Sequence, residues 1–393
     1  YIVSVGSYKK DDGTADKVDL EQLKKGIPPL LKEQEPTMLV IPEAATADVD
    51  RAALDDSVKA IAGVYQDMLK HCGVDMRSRF AITDVWMDRE KYDKGLDYNM
   101  NEDIKRFREG IGTNSLQWGA TYFPWLHTSA VTPNEVNLLN VSNRGDAAAI
   151  KPFPDGTFGE KGEITDEAGF KTNFIDGDVD SLGALLDKAL NQDVLDGLVK
   201  PAAAAEMKTE LLGKIATLDV ANAKDVSALH DGLLSRSPMY KALMRDLRKE
   251  LNLLPPSATM AGIYSMVDNT IGVFQSPANV SVGSVLAPAV NISSDQQEDM
   301  NLPINGKAVN AIRSFPGKGV LVWGARTMDG NSQDWRYISV RRTVIFIEQS
   351  IKFAAEPYVF EPNTAATWSN MKALITNFLT NVWQSGALAG ATA

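Results

Sequence analysis

The sequence predicts an α/β fold of mixed sheet layers with flanking helices, plus an inserted, mainly helical outer subdomain. Short apolar runs alternate with segments of helical period over residues 1–144, and the alternation returns after the proline pair at 255–256. Such alternation is typical of a largely parallel sheet covered by helices. Between these parts, residues 181–254 are rich in alanine and leucine at helical spacing, which predicts the helices of the insertion.

Length and composition set the scale of the molecule. At 393 residues, the chain is long enough for two or three domains with sizeable cores. We predict a first part of the core over 1–144, an inserted surface subdomain over 145–255 and a C-terminal α/β domain over 256–393. No apolar run approaches the length of a membrane-spanning helix, which predicts no stable membrane insertion. The single cysteine, Cys72, excludes an internal disulfide.

The formal charge of −11 argues against nucleic acid as a partner, because binding to phosphates requires a basic surface. The acidic excess lies in residues 1–255. Residues 256–393 carry nine basic and nine acidic side chains. A neutral C-terminal third is compatible with close packing against other chains.

The first part of the core is predicted to contain two helices and several strands. One helix covers Ala52–His71, with its apolar residues on one face and Gly73 just beyond its end. A shorter helix covers Asn101–Glu109. The strands are YIVSVGSY (1–8), TMLVIP (37–42), RFAITDV (79–85) and the aromatic-rich SLQWGATYFPWL (115–126).

The insertion and the C-terminal domain follow the same reasoning. Residues 146–180 are rich in Gly, Asp and Lys, which predicts β-turns with a hairpin or loop, and residues 181–254 are helical up to the proline pair. We then expect a helix or turn near Thr259–Val267 and a strand around Ile292. The segment GVLVWGA (319–325) is apolar and bounded by glycines, which predicts a central strand. Two helices complete the domain.

The last helix, predicted over about Thr364–Ser385, has an unusual composition. Its apolar residues recur at spacings of three and four, which is an apolar stripe at helical period. They are Trp368, Met371, Ile375, Phe378, Val382 and Trp383. The other positions are mostly Ser, Thr and Asn, and Lys372 is the only charged residue of the helix. A neutral, hydrogen-bonding face predicts a surface that a partner chain covers.

Motifs for nucleotide binding and nucleophilic catalysis are weak. Lys318 lies in PGKGV, which lacks the spacing of a phosphate-binding loop, so a glycine-flanked turn is favoured. His71 and Cys72 are adjacent on a helix and point about 100° apart, which disfavours a Cys–His pair. The remaining histidines are His127 and His230, and no spacing typical of zinc ligands occurs.

The sequence also provides little support for catalysis by a pair of carboxylates. A glycosidase needs two carboxylates across one cleft, and nothing in the sequence brings two candidates together. The candidates are Asp84, Glu348, Glu356 and Glu361. The run DQQED (295–299) lacks the glycine and spacing of a calcium loop and is interpreted as an exposed turn. The sequence therefore predicts no catalytic, cofactor-binding or metal-binding site.

Arg341 and Arg342 open a predicted helix, where cations oppose the helix dipole and need partners. A local carboxylate is one explanation of the pair. A salt bridge to a neighbouring subunit is the other.

Ordered blocks of the sequence resemble contractile tail sheath proteins. The blocks nearest the C-terminus are RSFPGKGVLVWGART (313–327), WRYISVRR (335–342), FEPN (360–363) and WQSGALAG (383–390). Those upstream are RFAITDV (79–85), GIGTNSLQWGATYFPWL (110–126) and PPSATMAGIYSMVDNTIGVFQSPAN (255–279). The resemblance fades over roughly 145–250.

The resemblance implies a structural protein and not an enzyme, with no cofactor. Sheath subunits of this family stack as six-membered rings around an inner tube, joined by terminal arms that add strands to a neighbour's sheet. They contract to drive the tube through a target envelope. Implied partners are copies of the same chain, an inner tube protein, and baseplate and terminator proteins. The implied location is a phage tail or a bacterial contractile particle that assembles in the cytoplasm, with release from the cell as one fate.

The resemblance also places the C-terminal domain on the inner wall of the sheath. We therefore expect Asn370, Lys372, Asn377 and Asn381 to contact the tube or a neighbouring subunit. Arg341 and Arg342 are the further candidates, through salt bridges between subunits. The resemblance is equally compatible with a phage tail, a tailocin, an extracellular injection device and a type VI-like system.

The sequence departs from the family pattern at two places, and one other class of function fits it. The sequence has no arm ahead of YIVSVGS and no strand-forming segment after GALAGAT, which predicts either a trimmed chain or a core unable to polymerise normally. The alternative from another functional class is a soluble carbohydrate-active or solute-binding α/β protein.

Overall fold

The computed structural model describes residues 2–6, 18–93, 95, 97–137, 194, 200–216, 223–236 and 238–391. The loop or hairpin predicted over 146–180, and most of the helical prediction for 181–199, lie outside these residues. The chain divides into two compact units. The first comprises residues 1–6, 19–125 and 255–393, and the second comprises residues 7–18 and 126–254. The domain boundaries predicted from the sequence remain predictions.

The described strands and helices are numbered here in chain order. The strands are β1 (Met38–Val40), β2 (Phe80–Asp84), β3 (Gly119–Phe123), β4 (Leu126–Thr128), β5 (Leu253–Leu254), β6 (Val285–Pro288), β7 (Asn310–Phe315) and β8 (Gly319–Val322). The helices are α1 (Leu20–Lys25), α2 (Leu54–Lys70), α3 (Arg89–Asp93), α4 (Met100–Gly110), α5 (Pro201–Ala216), α6 (Ala223–Arg236), α7 (Pro238–Leu251), α8 (Ser257–Thr270), α9 (Ser294–Asn301), α10 (Ile338–Ala355) and α11 (Ala365–Gln384).

The first unit is built on a sheet with the strand order β1-β2-β3-β7-β8. β1, β2, β3 and β7 run parallel, and β8 pairs with β7 in the antiparallel direction. Every residue of β2 and β3 is buried, as expected for parallel strands covered on both faces. The predicted mixed α/β fold is confirmed.

Helix α2 covers the sheet through its apolar face. Its buried side chains include Val58, Ile61, Tyr65 and Met68, the stripe that the sequence predicted. The helix approaches β3 closely at Gly119, where a Cβ atom would lie 2.7 Å from Leu69 Cδ2 and 3.1 Å from the Ala81 carbonyl oxygen. Glycine at this position therefore allows the helix and the sheet to touch.

The second unit contains a short ladder and three described helices. β4 and β5 pair antiparallel, with Leu126 opposite Leu254. Asn252 links the ends of this ladder, because its side chain accepts the Val131 N–H at 2.8 Å and donates to the Val131 carbonyl at 2.9 Å. Buried residues of α6 and α7 form an apolar contact between these helices. They are Leu229, Leu233, Tyr240, Met244 and Leu247.

Several predictions in the first part of the chain are wrong in detail. Residues 2–6 form no strand; Val5 instead packs against Gly26. The segment 115–126 is not one strand, because Pro124 lacks the N–H needed to continue the ladder, and β3 ends at Phe123. The helix predicted to end before Gly73 continues into a π-helical turn over His71–Met76.

Three predictions in the C-terminal domain are also wrong. No strand forms around Ile292, whose side chain is buried in an irregular segment. The run DQQED is not a turn, because Ser293 and Gln296 form a reciprocal capping box that starts α9. β8 is the last strand of the sheet and not a central one. The backbone groups on the outer edge of β8 are paired, since residues 279–282 exchange backbone hydrogen bonds with this strand.

In the described parts of the chain, none of the helices combines the length and the apolar character needed to cross a membrane.

Candidate interaction surface on the C-terminal helices

The N-terminal half of α10 is fixed by two arginines. Arg341 lies between two indoles, with its guanidinium carbon 4.4 Å from the ring centroid of Trp118 and 3.5 Å from that of Trp335. Only 5% of the Arg341 side chain is exposed, and burial lowers its pKa. Stacked in this way, the cation is stabilised by two aromatic faces.

Arg342 forms a two-pronged ion pair with Asp268 of α8. The nitrogen–oxygen distances are 2.8 Å and 2.5 Å. The same guanidinium lies over Tyr264, whose hydroxyl is 2.8 Å from that of Tyr122 in β3. Arg342 thus has the local carboxylate that was one of the two alternatives left open by the sequence.

The distal half of α10 and the turn that follows it are much less covered. The buried residues of α10 all lie in its first half and end at Ile345. Beyond that point, Phe346 and Phe353 are about half exposed. The turn Glu356–Phe360 then leads to α11 and exposes Val359 and Phe360 by 68% and 96%.

Helix α11 begins and ends close to the predicted positions. The Thr364 hydroxyl caps it by accepting the Thr367 N–H at 3.3 Å, and the Trp368 indole donates to Asn363 at 2.6 Å. Of its twenty residues, all of them described, Val382 alone is buried. Trp368 is 62% exposed, although it belongs to the apolar stripe. The helix therefore leaves its polar face and Trp368 open, whereas the rest of its apolar stripe is half-buried or, at Val382, buried.

The predicted contact residues of α11 are all exposed, but they do not share one face. Asn370, Asn377 and Asn381 fall within roughly 40° of one another in helical projection. Lys372 lies roughly 160° from Asn370, beside Trp368 and the apolar stripe. The asparagines thus form one polar face and Lys372 marks the edge of another surface.

A groove of about 560 Å³ lies between these helices and the segment after α8. It is mainly apolar, and the Asp268–Arg342 pair forms part of its wall. Its lining residues are Thr37, Ser78, Phe80, Asp268, Gly272, Val273, Phe274, Arg342, Thr343, Ile345, Phe346, Gln349, Ser350, Phe353, Val382, Ser385 and Ala387. Because these residues come from distant segments, no local sequence signal indicated the groove.

The remaining candidate chemical groups do not form a cleft. Cys72 is fully buried, and burial raises the pKa of its thiol to about 12, which leaves it unreactive at neutral pH. Asp84 is buried at the end of β2, whereas Glu348, Glu356 and Glu361 are exposed in or near the C-terminal helices. His127 lies on β4 and His230 on α6. Within the described residues, no group of three metal-ligating side chains occurs.

The environment of Asp84 could not be predicted from local sequence patterns. The carboxylate accepts the backbone N–H of Ser257 at 2.7 Å and also the Ser257 hydroxyl. Burial raises its pKa to about 7, and the Ser257 hydrogen bonds oppose that shift. The next residue, Val85, accepts the indole N–H of Trp125 at 3.0 Å. Consecutive residues thus hold Trp125 and Ser257, which lie on either side of residues 126–254 in the sequence.

Comparison with known proteins identifies where the sequence similarity lies. The family model for the phage tail sheath C-terminal domain matches residues 331–393, which contain α10 and α11. The tail sheath protein of Vibrio phage KVP40 is 26% identical over 136 residues, which is 34% of this chain and 20% of that protein. The match therefore spans about a fifth of the length of this curated relative.

Solved structures add two further similarities. A chain of the anti-feeding prophage helical sheath in its contracted state is 45% identical over 36% of this chain and 38% of its own, with a TM-score of 0.33. A chain of the anti-feeding prophage baseplate in its contracted state covers 95% of this chain and 64% of its own, at 18% identity and a TM-score of 0.50. The second comparison supports the fold alone. The C-terminal domain match and the curated relative thus agree with the ordered sequence blocks in making this chain similar to contractile tail sheath proteins.

Proposed function

We propose that this chain is a structural subunit of a contractile sheath. The observation that carries the proposal is α11, a twenty-residue helix in which one described residue is buried and Lys372 is the only charge. A soluble monomer gains nothing from exposing a large indole, Trp368, and an uncharged polar face on the same helix. A subunit whose C-terminal helices lie inside a polymer gains stability from these groups, because neighbouring chains then bury both the Trp368 side chain and the polar face.

In the proposed particle, subunits polymerise as stacked six-membered rings around an inner tube, and the sheath contracts to drive the tube through a target cell envelope. The partners are further copies of the chain, the tube protein, and baseplate and terminator proteins. The particle is a phage tail or a bacterial contractile device that assembles in the cytoplasm. The role is structural and not enzymatic, which is supported by the similarity to tail sheath proteins and by the buried, unreactive thiol of Cys72.

Within this particle, α11 provides two contact surfaces. We infer that Asn370, Asn377 and Asn381 contact the tube or a neighbouring subunit through hydrogen bonds that can be exchanged during contraction. Lys372 contacts a different partner surface, because it lies on the other side of the helix. Arg341 and Arg342 contribute indirectly, by fixing the start of α10 and hence the position of the helix pair.

The function is tested by electron microscopy of the full-length protein coexpressed with its tube partner. We expect cogwheel-striated cylinders. A monodisperse monomer that binds carbohydrate would instead favour the carbohydrate-active or solute-binding alternative.

The proposed contacts of α11 are tested by Lys372→Glu and Asn377→Ala. Both residues are exposed, so the free energy of unfolding of the unassembled chain should change by no more than about 0.5 kcal/mol. Assembly on tubes should fall sharply. Lys318→Glu, in the exposed turn between β7 and β8, is the matched control for Lys372. Normal sheathed particles from both α11 variants would show that this helix is not a contact surface.

A further inference from the structure

The turn between α10 and α11 presents an apolar tip, defined here as Val359 and Phe360. Both side chains are largely exposed, and Phe360 is among the most exposed large apolar residues described. Two exposed glutamates, Glu356 and Glu361, flank the tip. An aromatic side chain held out on a short 3-10 turn has the character of an interface anchor, because it brings a large contact area at low cost in conformational freedom.

The groove described above has the complementary properties. Phe274, Phe346 and Phe353 line it, and its volume of about 560 Å³ lies within the range of pockets that enclose compact groups. Its acidic lining residue, Asp268, is neutralised by Arg342. Arg77 precedes the lining residue Ser78, and the Arg77 carbonyl oxygen is 3.4 Å from the side-chain nitrogen of Gln349, another lining residue.

Two exposed cations are next to lining residues of the groove in the sequence, which favours a partner segment that carries carboxylates. Arg77 is exposed beside the lining residue Ser78, and Lys352 is exposed on α10 immediately before Phe353. The tip is flanked by carboxylates, so insertion would bring opposite charges together around an apolar centre. In its own chain the tip remains outside, because neither Val359 nor Phe360 lines the groove and both are exposed.

We propose that the Val359–Phe360 tip of one copy inserts into the groove of a second copy. The inference rests on the proposed sheath function and specifies one of its subunit contacts. Tip and groove are different surfaces of the same chain, so the contact is heterologous. Contacts of this kind form rings or open helical polymers, depending on the rotation between copies.

The contact is tested by mixing two populations of the full-length protein during assembly with its tube partner. One population carries Glu361→Cys, which places a thiol beside the tip and keeps Phe360. The other carries Ser350→Cys, which places a thiol on the groove wall. The native Cys72 is fully buried and does not compete. We expect a disulfide-linked dimer about tenfold above the yield of a control pair in which Ser294→Cys replaces Ser350→Cys, since Ser294 is exposed outside the groove.

A charge exchange tests the same contact without removing the aromatic group. Glu356→Lys with Glu361→Lys, or Arg77→Glu with Lys352→Glu, should each lower the assembled fraction about tenfold at fixed concentration. Mixing the two variants should restore assembly, because each supplies the surface that the other lacks. Cylinders without cross-linking above the control, or charge variants that assemble normally, would overturn the tip contact and leave the sheath function standing. Absence of cylinders from the wild-type protein would overturn both.

Discussion

Asp84 is a carboxyl group without access to solvent, held by Ser257 at the end of β2. Burial favours its protonated form and raises its pKa to about 7, whereas an aspartate in an unfolded chain titrates near pH 4. Between these values the folded state holds a proton that the unfolded state has lost. This contribution to stability is therefore complete below about pH 4 and is lost as the pH rises towards 7.

We predict that Asp84→Asn removes this pH dependence. The free energy of unfolding of the wild type, measured relative to the variant by urea denaturation, should fall as the pH rises from 4.5 to 7, by at most about 1.4 kcal/mol per pH unit. Asp295→Asn, at an exposed position, is the control. A constant difference between wild type and Asp84→Asn across this range would contradict the prediction.

A substitution of Asp268 can show whether Arg342 forms its salt bridge within the subunit or with a neighbouring subunit. Because its guanidinium is buried against Asp268, removing the carboxylate leaves a cation without its partner. We predict that Asp268→Asn lowers the free energy of unfolding of the unassembled chain by about 2–4 kcal/mol. Glu348→Gln, on the exposed face of α10, should change it little. An unaltered stability combined with failed assembly would instead favour the salt bridge between subunits.

At the scale of elements, α10 and α11 differ in how they are held. The start of α10 is buried, whereas α11 rests on α10 through contacts such as the Phe346–Phe378 ring pair at 6.0 Å. Helices with few buried contacts open at low free energy. The last helix is thus stable enough to form but weakly attached to the unit that carries it.

We predict that backbone amides of α11 exchange with deuterium faster than those of the first half of α10 in the unassembled chain. Assembly should then slow exchange in α11, because partners cover both of its faces. Helix α2, which has seven buried residues and lies on the sheet, should be protected in both states. Equal protection of α11 before and after assembly would show that no partner covers it.

Secondary structure was largely predictable wherever burial imposed a regular period. The apolar stripe of α2 and the fully buried β2 and β3 gave clear signals, and α11 was placed within one residue at each end. The strand predicted around Ile292 was wrong because an apolar side chain can be buried without belonging to a strand. The capping box formed by Ser293 and Gln296 is a sequence signature for the start of a helix and marks the start of α9.

At the scale of the whole molecule, the contacts that form the candidate surface join segments that are distant in the sequence. The stacking of Arg341 between Trp118 and Trp335 unites residues more than two hundred positions apart, and the groove draws on five separate segments. Local patterns contain no information about such contacts. The composition of α11 therefore predicted that this helix belongs to an interaction surface. The groove beside it could not be predicted from the sequence.

We predict that the first unit folds without residues 126–254. Trp125 and Ser257 are both held at the end of β2, so a short glycine–serine linker can join the remaining ends. The shortened chain should unfold in one cooperative thermal transition, with the wild-type near-ultraviolet dichroism of its buried tryptophans. Aggregation or a non-cooperative transition would show that the first unit depends on the excised residues.

The paired anchoring of Trp125 and Ser257 bears on how such proteins diverge. Two consecutive residues, Asp84 and Val85, secure both chain ends, so substitutions, insertions and recombination between those ends leave the sheet and the C-terminal helices undisturbed. A lineage can therefore exchange this stretch as a cassette. The sheet and the C-terminal helices stay constant meanwhile, so the two parts of the chain can diverge at different rates.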